Sequence, residues 1–271
     1  MENISSLNSP HIERVKALLG PRGKKTREAE STFVVEGIQS VREALMPKIK
    51  EGLILKRVYL TENGHSKLSS EISAEVLSRC ELITVSEQVM RAMADSESPQ
   101  GILALCSTKS LKLKDLWQMP PRKIAYFWQI QDPGNAGTVI RTADACGFDA
   151  VVFSEASVDI FNPKTVRATV GSLWHIPVIA DVDFSDFISE SKDQGLGIYA
   201  LDARGNSILD TAFIKQSSAG PSVWIFGNEA RGLPELSEDI NTVSIPMKGF
   251  AESLNVASAA AIVMHSIGLS I

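Results

Sequence analysis

Ile130-Gln131-Asp132-Pro133-Gly134-Asn135-Ala136-Gly137-Thr138-Val139-Ile140-Arg141-Thr142 decides how the chain folds, because it passes from the end of a strand into the first turns of a helix. Upstream, Lys123 to Ile130 (KIAYFWQI) is apolar enough for a buried strand. Asp-Pro-Gly is turn chemistry, and Asn135 is of a type that caps helices; the apolar side of the helix is then Val139, Ile140, Ala143 and Cys146. Gly147 ends it. On this register Arg141 points away from the sheet, about two turns from the helix start. It stands at the carboxyl edge of a strand, where open α/β sheets bind their ligands.

The length of 271 residues suits two domains of ordinary size, and a hydrophobic fraction of 44% is enough for sizeable cores. The opening MENISSLNSP lacks a basic region followed by an apolar stretch, so no secretory signal is expected. No stretch reads as a membrane span, since the apolar tail from Val256 is broken by Ser258, His265, Ser266 and Ser270. Cys80, Cys106 and Cys146 are odd in number and widely spaced, which indicates neither a disulfide framework nor a zinc site and fits a reducing cytoplasm. A net charge of -5 argues against nonspecific nucleic-acid binding. The distribution qualifies this, because Arg14, Lys16, Arg22, Lys24, Lys25 and Arg27 crowd between His11 and Arg27 with Glu13 as the only acid. Such a segment is either a solvated face or an RNA-binding one.

Along the chain, helical spacing over Pro10–Leu19 stops at Gly20-Pro21 and a basic loop follows. Strands are expected at 33–37, 54–60, 81–85 and 102–106, with helices at 38–45, 69–79 and from Ser86 to about Met93. Residues 1–107 form a first α/β domain on this reading. Residues 108–122, charged and carrying Pro120-Pro121, form a linker, and 123–271 a second domain. There, strands at 150–154, 176–180, 197–201, 222–226 and 242–246 alternate with helices, the last from Ser253 to Ile267. That alternation means a parallel sheet covered on both faces.

The glycine fingerprint of a dinucleotide site, the phosphate-binding Gly-Lys-Ser/Thr loop, the Gly-x-Ser-x-Gly elbow and a His-x-x-x-His metal pair are all missing. What remains are three polar, glycine-bearing loops after strands of the second domain. They are Asp132 to Arg141, Phe226 to Pro234 with Gly227, Glu229 and Arg231, and Ile245 to Asn255 with Ser253 and Leu254. Gly227 permits either close backbone approach or a positive φ.

DPGNAGTVIRTA (132–143), IFGNEARGL (225–233) and IPMKGFAESLNVASAAA (245–261), in that order and spacing, resemble the three motifs of the SpoU/TrmH branch of the SPOUT RNA ribose 2′-O-methyltransferases. One departure is Ala257, with Ser258 next, where many members carry Ser at the first of these positions. FVVEGIQSVREAL (33–45) and PQGILAL (99–105) resemble, more loosely, that family's ribosomal-protein-like substrate-binding domain.

The resemblance implies a C-terminal SPOUT domain with a deep trefoil knot, S-adenosylmethionine as cofactor, no metal, and a homodimer whose active site draws on both subunits. By position, Gly227, Ile245 and Leu254 would hold the cofactor, while Asn135, Arg141, Glu229, Ser253 and Asn255 fall on the polar active-site positions. Arg22, Lys24, Lys25 and Arg27 are the RNA-binding candidates. A guanidinium holds its proton tenaciously, so the motif-one arginine suits a donor to phosphate or developing alkoxide better than a base; the proton acceptor stays open between a phosphate oxygen and water. Ribosomal RNA of the large subunit is the favoured substrate. The alternatives are transfer RNA and a non-catalytic RNA-binding or ribosome-assembly protein.

Overall fold

The computed structural model describes residues 2–49, 53–108, 111–228 and 230–269. Glu229 falls outside the described residues. The chain divides into two compact units, the first made of Met1–Ser110 with Asp159–His175, the second of Leu111–Val158 with Ile176–Ile271.

In the first unit, β1 (Glu2–Ile4), β2 (Thr32–Glu36), β3 (Ile54–Leu60), β4 (Glu81–Val85) and β5 (Ile102–Ser107) form a sheet in the order β1-β4-β3-β5-β2. β5 runs antiparallel to both β2 and β3, while β1, β4 and β3 are mutually parallel. One core cluster buries Val34, Tyr59, Ile83 and Leu105 of the sheet with Val15 and Leu18 of helix Pro10–Leu19 and with Met90. β1, too short to show a period, was not expected. The expected basic loop is a helix, Gly23–Glu30, and the single helix expected at 69–79 is two, Glu62–Glu71 and Ala74–Leu77. Polar caps Thr61 and Ser73 start both of the latter, accepting from Gly64 N–H and Val76 N–H.

The excursion Asp159–His175 joins the first unit through chemistry that no periodicity announces. Phe161 and Trp174 lie against Phe33, with ring centroids 4.7 and 6.2 Å apart. The Arg27 guanidinium meets Asp159 at 2.6 Å, and His175 meets Glu43 at 3.0 Å.

In the second unit, β6 (Lys123–Phe127), β7 (Ala150–Ser154), β8 (Val178–Val182), β9 (Gly197–Leu201), β10 (Ser207–Ile208), β11 (Ser222–Phe226) and β12 (Asn241–Ser244) form an all-parallel sheet in the order β10-β12-β9-β11-β6-β7-β8. β6, β7 and β11 are buried at every residue, as strands covered on both faces must be. Tyr126, stacked on Phe187 at 4.6 Å, and Phe127, stacked on Phe226 at 4.8 Å, fill the two sides of β6. Burial contributes roughly 1.5–3 kcal/mol per large side chain. The tail helix, Val256–Gly268, packs on helix Pro133–Ala145; a Cβ on Gly268 would come within 2.6 Å of the Cys146 carbonyl oxygen. No helix among the described residues is long and apolar enough to cross a membrane.

Candidate active site

The first loop runs from β6 into helix Pro133–Ala145. Its N-cap is Asp132, not Asn135: the Asp132 carboxylate accepts from Asn135 N–H at 2.8 Å, and Pro133 takes the first helical position. Asp-Pro is the stronger start signal, because a proline needs no hydrogen-bond partner there. Asn135 therefore sits inside the first turn, where its side-chain oxygen accepts from Asn255 Nδ2 at 3.3 Å. Val139, Ile140 and Ala143 are buried, Arg141 is exposed on the opposite face, and Gly147 leaves the helix with φ +70°.

The second loop is drawn tight by Asn228. Its backbone exchanges hydrogen bonds with Gly232 at 2.8 and 2.9 Å. Its side-chain oxygen accepts from Ala230 N–H and Arg231 N–H, both at 2.9 Å, while Nδ2 donates to the Gln129 carbonyl at 2.6 Å. A buried amide used at both ends in this way fixes the loop it sits in. Gly227 is needed for close approach rather than for positive φ, since a Cβ there would meet the Gly232 backbone at 2.6 Å.

Gln129 is the anchor for this arrangement and escaped the sequence reading. Its backbone is left-handed (φ +46°), which turns its N–H to Ser154 Oγ at 2.7 Å and its carbonyl towards both Asn228 and Gln131 Nε2. Its side chain accepts from Arg231 at 3.3 Å. Non-glycine residues in this conformation cost of order 1 kcal/mol or more and persist where surrounding bonds hold them.

The third loop ends at Asn255, which caps the tail helix by accepting from Ala257 N–H at 2.9 Å and Ser258 N–H at 3.3 Å. The helix therefore starts at Val256, and Ser253 and Leu254, expected inside it, remain in the loop.

At the carboxyl ends of the adjacent strands β12, β9 and β11 lies a cavity of about 220 Å³. Leu201, Phe226, Val243, Ile245, Leu254, Val256 and Ala259 give it apolar walls; Gly227 and Gly232 expose backbone; Asp202, Asn228 and Ser253 supply polar groups. These walls fit a group with a flat apolar part and hydroxyl-bearing edges, such as a nucleoside. Gly227, Ile245, Leu254 and Ser253 meet in this lining, whereas Asn135, Arg141 and Asn255 are not part of it; Asn255 follows the wall residue Leu254 and bonds Asn135 in the first turn of helix Pro133–Ala145, while Arg141 lies further along that helix. Asp202 and Asn228 were missed as site residues. The signal for Asp202 was its place directly after a strand at the ligand-binding edge, and Asn228 stands inside the second motif itself.

In the first unit, Arg22, Lys24 and Lys25 are exposed, with Lys24 3.9 Å from Glu28. Arg27 is buried, its guanidinium committed to Asp159 and to the Leu18 carbonyl, so it offers no free face to RNA. Among the described residues no group of three His, Cys, Asp or Glu side chains is arranged to hold a metal ion.

The SpoU rRNA Methylase family matches residues 123–265, and the MRM3-like substrate binding domain matches residues 10–104. The chain is 34% identical to the 23S rRNA (guanosine(2553)-2′-O)-methyltransferase RlmP of Bacillus subtilis, over 98% of this chain and 99% of that one. It is 29% identical to the 23S rRNA (uridine(2479)-2′-O)-methyltransferase of Streptomyces viridochromogenes, covering 97% and 90%. The crystal structure of an AdoMet-bound rRNA methyltransferase from Sinorhizobium meliloti superposes with a TM-score of 0.82 at 27% identity, covering 98% and 97%. With its three motifs folded onto one edge of a parallel sheet and a substrate-binding domain before them, the chain belongs to the SpoU rRNA Methylase family and is a methyltransferase.

Proposed function

We propose that this enzyme transfers a methyl group from S-adenosylmethionine to a ribose 2′-hydroxyl of large-subunit ribosomal RNA, acting in the cytoplasm as a homodimer. The observation that carries the reading is the cavity at the ends of β12, β9 and β11, built from the second and third loops, with the first loop bonded to its rim through Asn135 and Asn255. S-adenosylmethionine supplies an electrophilic methyl group on a sulfonium. Gly227, Ile245 and Leu254 hold it through walls and backbone, and Asp202 offers a carboxylate at the same wall. Arg141, exposed on the helix whose first turn is bonded to this rim, grips an RNA phosphate and stabilises charge developing on the ribose oxygen. Asn135 and Glu229 orient that guanidinium, while Ser253 and Asn255 fix the third loop. Holding the two reactants in register contributes on the order of 7–11 kcal/mol of barrier lowering.

The RNA choice is supported by the two relatives named for 23S rRNA and by the exposed cations Arg22, Lys24 and Lys25 on a separate substrate-binding unit. Those relatives are named for guanosine and uridine respectively, so the target base is not inherited with the fold. Pairing of two chains is supported by exposed Ile262 on the tail helix and exposed Leu269 at its C-cap. The trefoil threading belongs to the same proposal, supported by the tail helix folding back onto helix Pro133–Ala145.

The test is methylation of transcribed 23S RNA and of transfer RNA by the purified protein, with ribose methyl groups mapped by resistance to alkaline cleavage. A ribose methyl in 23S RNA, lost in Arg141→Ala while S-adenosylmethionine binding stays within a few-fold, is the expected outcome. Equal loss of both would make Arg141 structural, and methylation of transfer RNA alone would overturn the substrate.

A further inference from the structure

Phe250 is fully exposed, the most exposed large apolar side chain among the described residues. It stands at the middle of the third loop, three residues from Met247 and three from Ser253, both of which line the cavity. Just before it in the chain, Lys248 is exposed and Gly249 has open space where a side chain would be. The same loop closes at Asn255, bonded to the helix that carries Arg141. A scattered exposed aromatic needs no explanation. One that stands in the chain between two wall residues of a methyl-donor cavity, two positions from an exposed lysine, is a different case, because the substrate ribose must arrive there from solvent with its base and phosphate attached.

We infer that Phe250 is the stacking surface for the base of the target nucleotide, or of its immediate neighbour, with Lys248 facing the adjoining phosphate. The inference rests on the RNA methyltransferase reading and adds the residue that receives the base. Stacking on a ring is tolerant of base identity, since every base has a π-face. Such a platform suits a fold whose relatives are named for a purine and for a pyrimidine at the same ribose chemistry. It separates holding the base from choosing it, and leaves choice to contacts elsewhere on the RNA.

The experiment uses the full-length protein and the 23S fragment that the wild type methylates, comparing Phe250→Ala, Phe250→Leu, Phe250→Tyr and Phe250→Trp. Expected is a rise in KM for RNA on the order of 10-fold in the Ala and Leu variants, with Tyr and Trp near wild type. S-adenosylmethionine affinity and sedimentation should be unchanged in all four. Rescue by Leu would show that bulk rather than a flat ring is needed and would overturn the inference. So would a dimer that dissociates in Phe250→Ala, which would make the ring a contact between copies of the chain. An unchanged KM in an active enzyme also sinks it, whereas a wild type that methylates no RNA would instead sink the reading it rests on.

Discussion

Asn255 Nδ2 donates to Asn135 Oδ1 at 3.3 Å, while the other end of the same amide accepts from Ala257 and Ser258 N–H at the start of the tail helix. The cap dictates which end faces which way, so the capping requirement aims the donor at the first motif. Asn255→Asp keeps the cap and removes the donor, and Asn255→Ala removes both. Thermal or urea unfolding should show Ala destabilised by about 1 kcal/mol and Asp within about 0.5 kcal/mol of wild type. Methyl transfer should fall in both. An active Asp variant would show that the cap alone matters.

Gly227 lies where the second loop turns back against itself. A methyl group there would come within 2.6–2.9 Å of Gly232 and Leu233 backbone, atoms that cannot swing aside as a side chain can. Gly227→Ala should therefore push the 228–232 loop off the cavity wall and weaken S-adenosylmethionine binding at least 10-fold by titration calorimetry. Gly249→Ala, on the third loop with open space around it, is the control and should bind as wild type.

The parallel sheet was legible in the sequence because its central strands are continuous apolar runs bounded by turn chemistry, and the loops were legible because they carry polar residues directly after those runs. Asp132 and Asn135 are both cap formers, and only the proline between them decides which one caps. Helix Gly23–Glu30 was invisible for want of an apolar stripe: it is held by Arg27 turning inward to Asp159, a residue 132 positions away. Gln129 could not be found by pattern, because its importance lies in a backbone conformation and a shared carbonyl that no period encodes, whereas Asn228 stands inside the second motif and only its bonding was hidden.

Arg27 and Asp159 form an ion pair with side chains only 7% and 15% exposed, and Asp159 also accepts from Phe161 N–H at 2.8 Å. Removing one partner strands the other in a dry site, which costs about 3–5 kcal/mol, whereas replacing both with apolar groups costs far less. Arg27→Ala should lower stability by that amount. Arg27→Met combined with Asp159→Leu should recover most of it, as read from urea midpoints at constant slope. If the single variant stays near wild type, the pair is not what fastens residues 159–175 to the first unit.

Lys123 opens β6 and is buried, its Nζ donating to the Ile267 carbonyl at 3.1 Å in the last turn of the tail helix. Burial lowers its pKa below the ordinary lysine value of 10.5, with Arg122 adding to the effect and Asp149 opposing it. Between the lowered value and 10.5 the unfolded chain binds more protons than the folded one, so this lysine makes stability rise with pH across that window. Lys123→Met lacks the titration. The stability difference, wild type minus variant, should therefore climb as pH approaches 10.5 from below and level off above it. Denaturant titrations of both proteins at several alkaline pH values measure that difference directly, because groups common to both chains cancel. A flat difference would mean that Nζ keeps its charge as easily in the folded protein as in water, and that its bond to the helix end offsets the whole cost of burial.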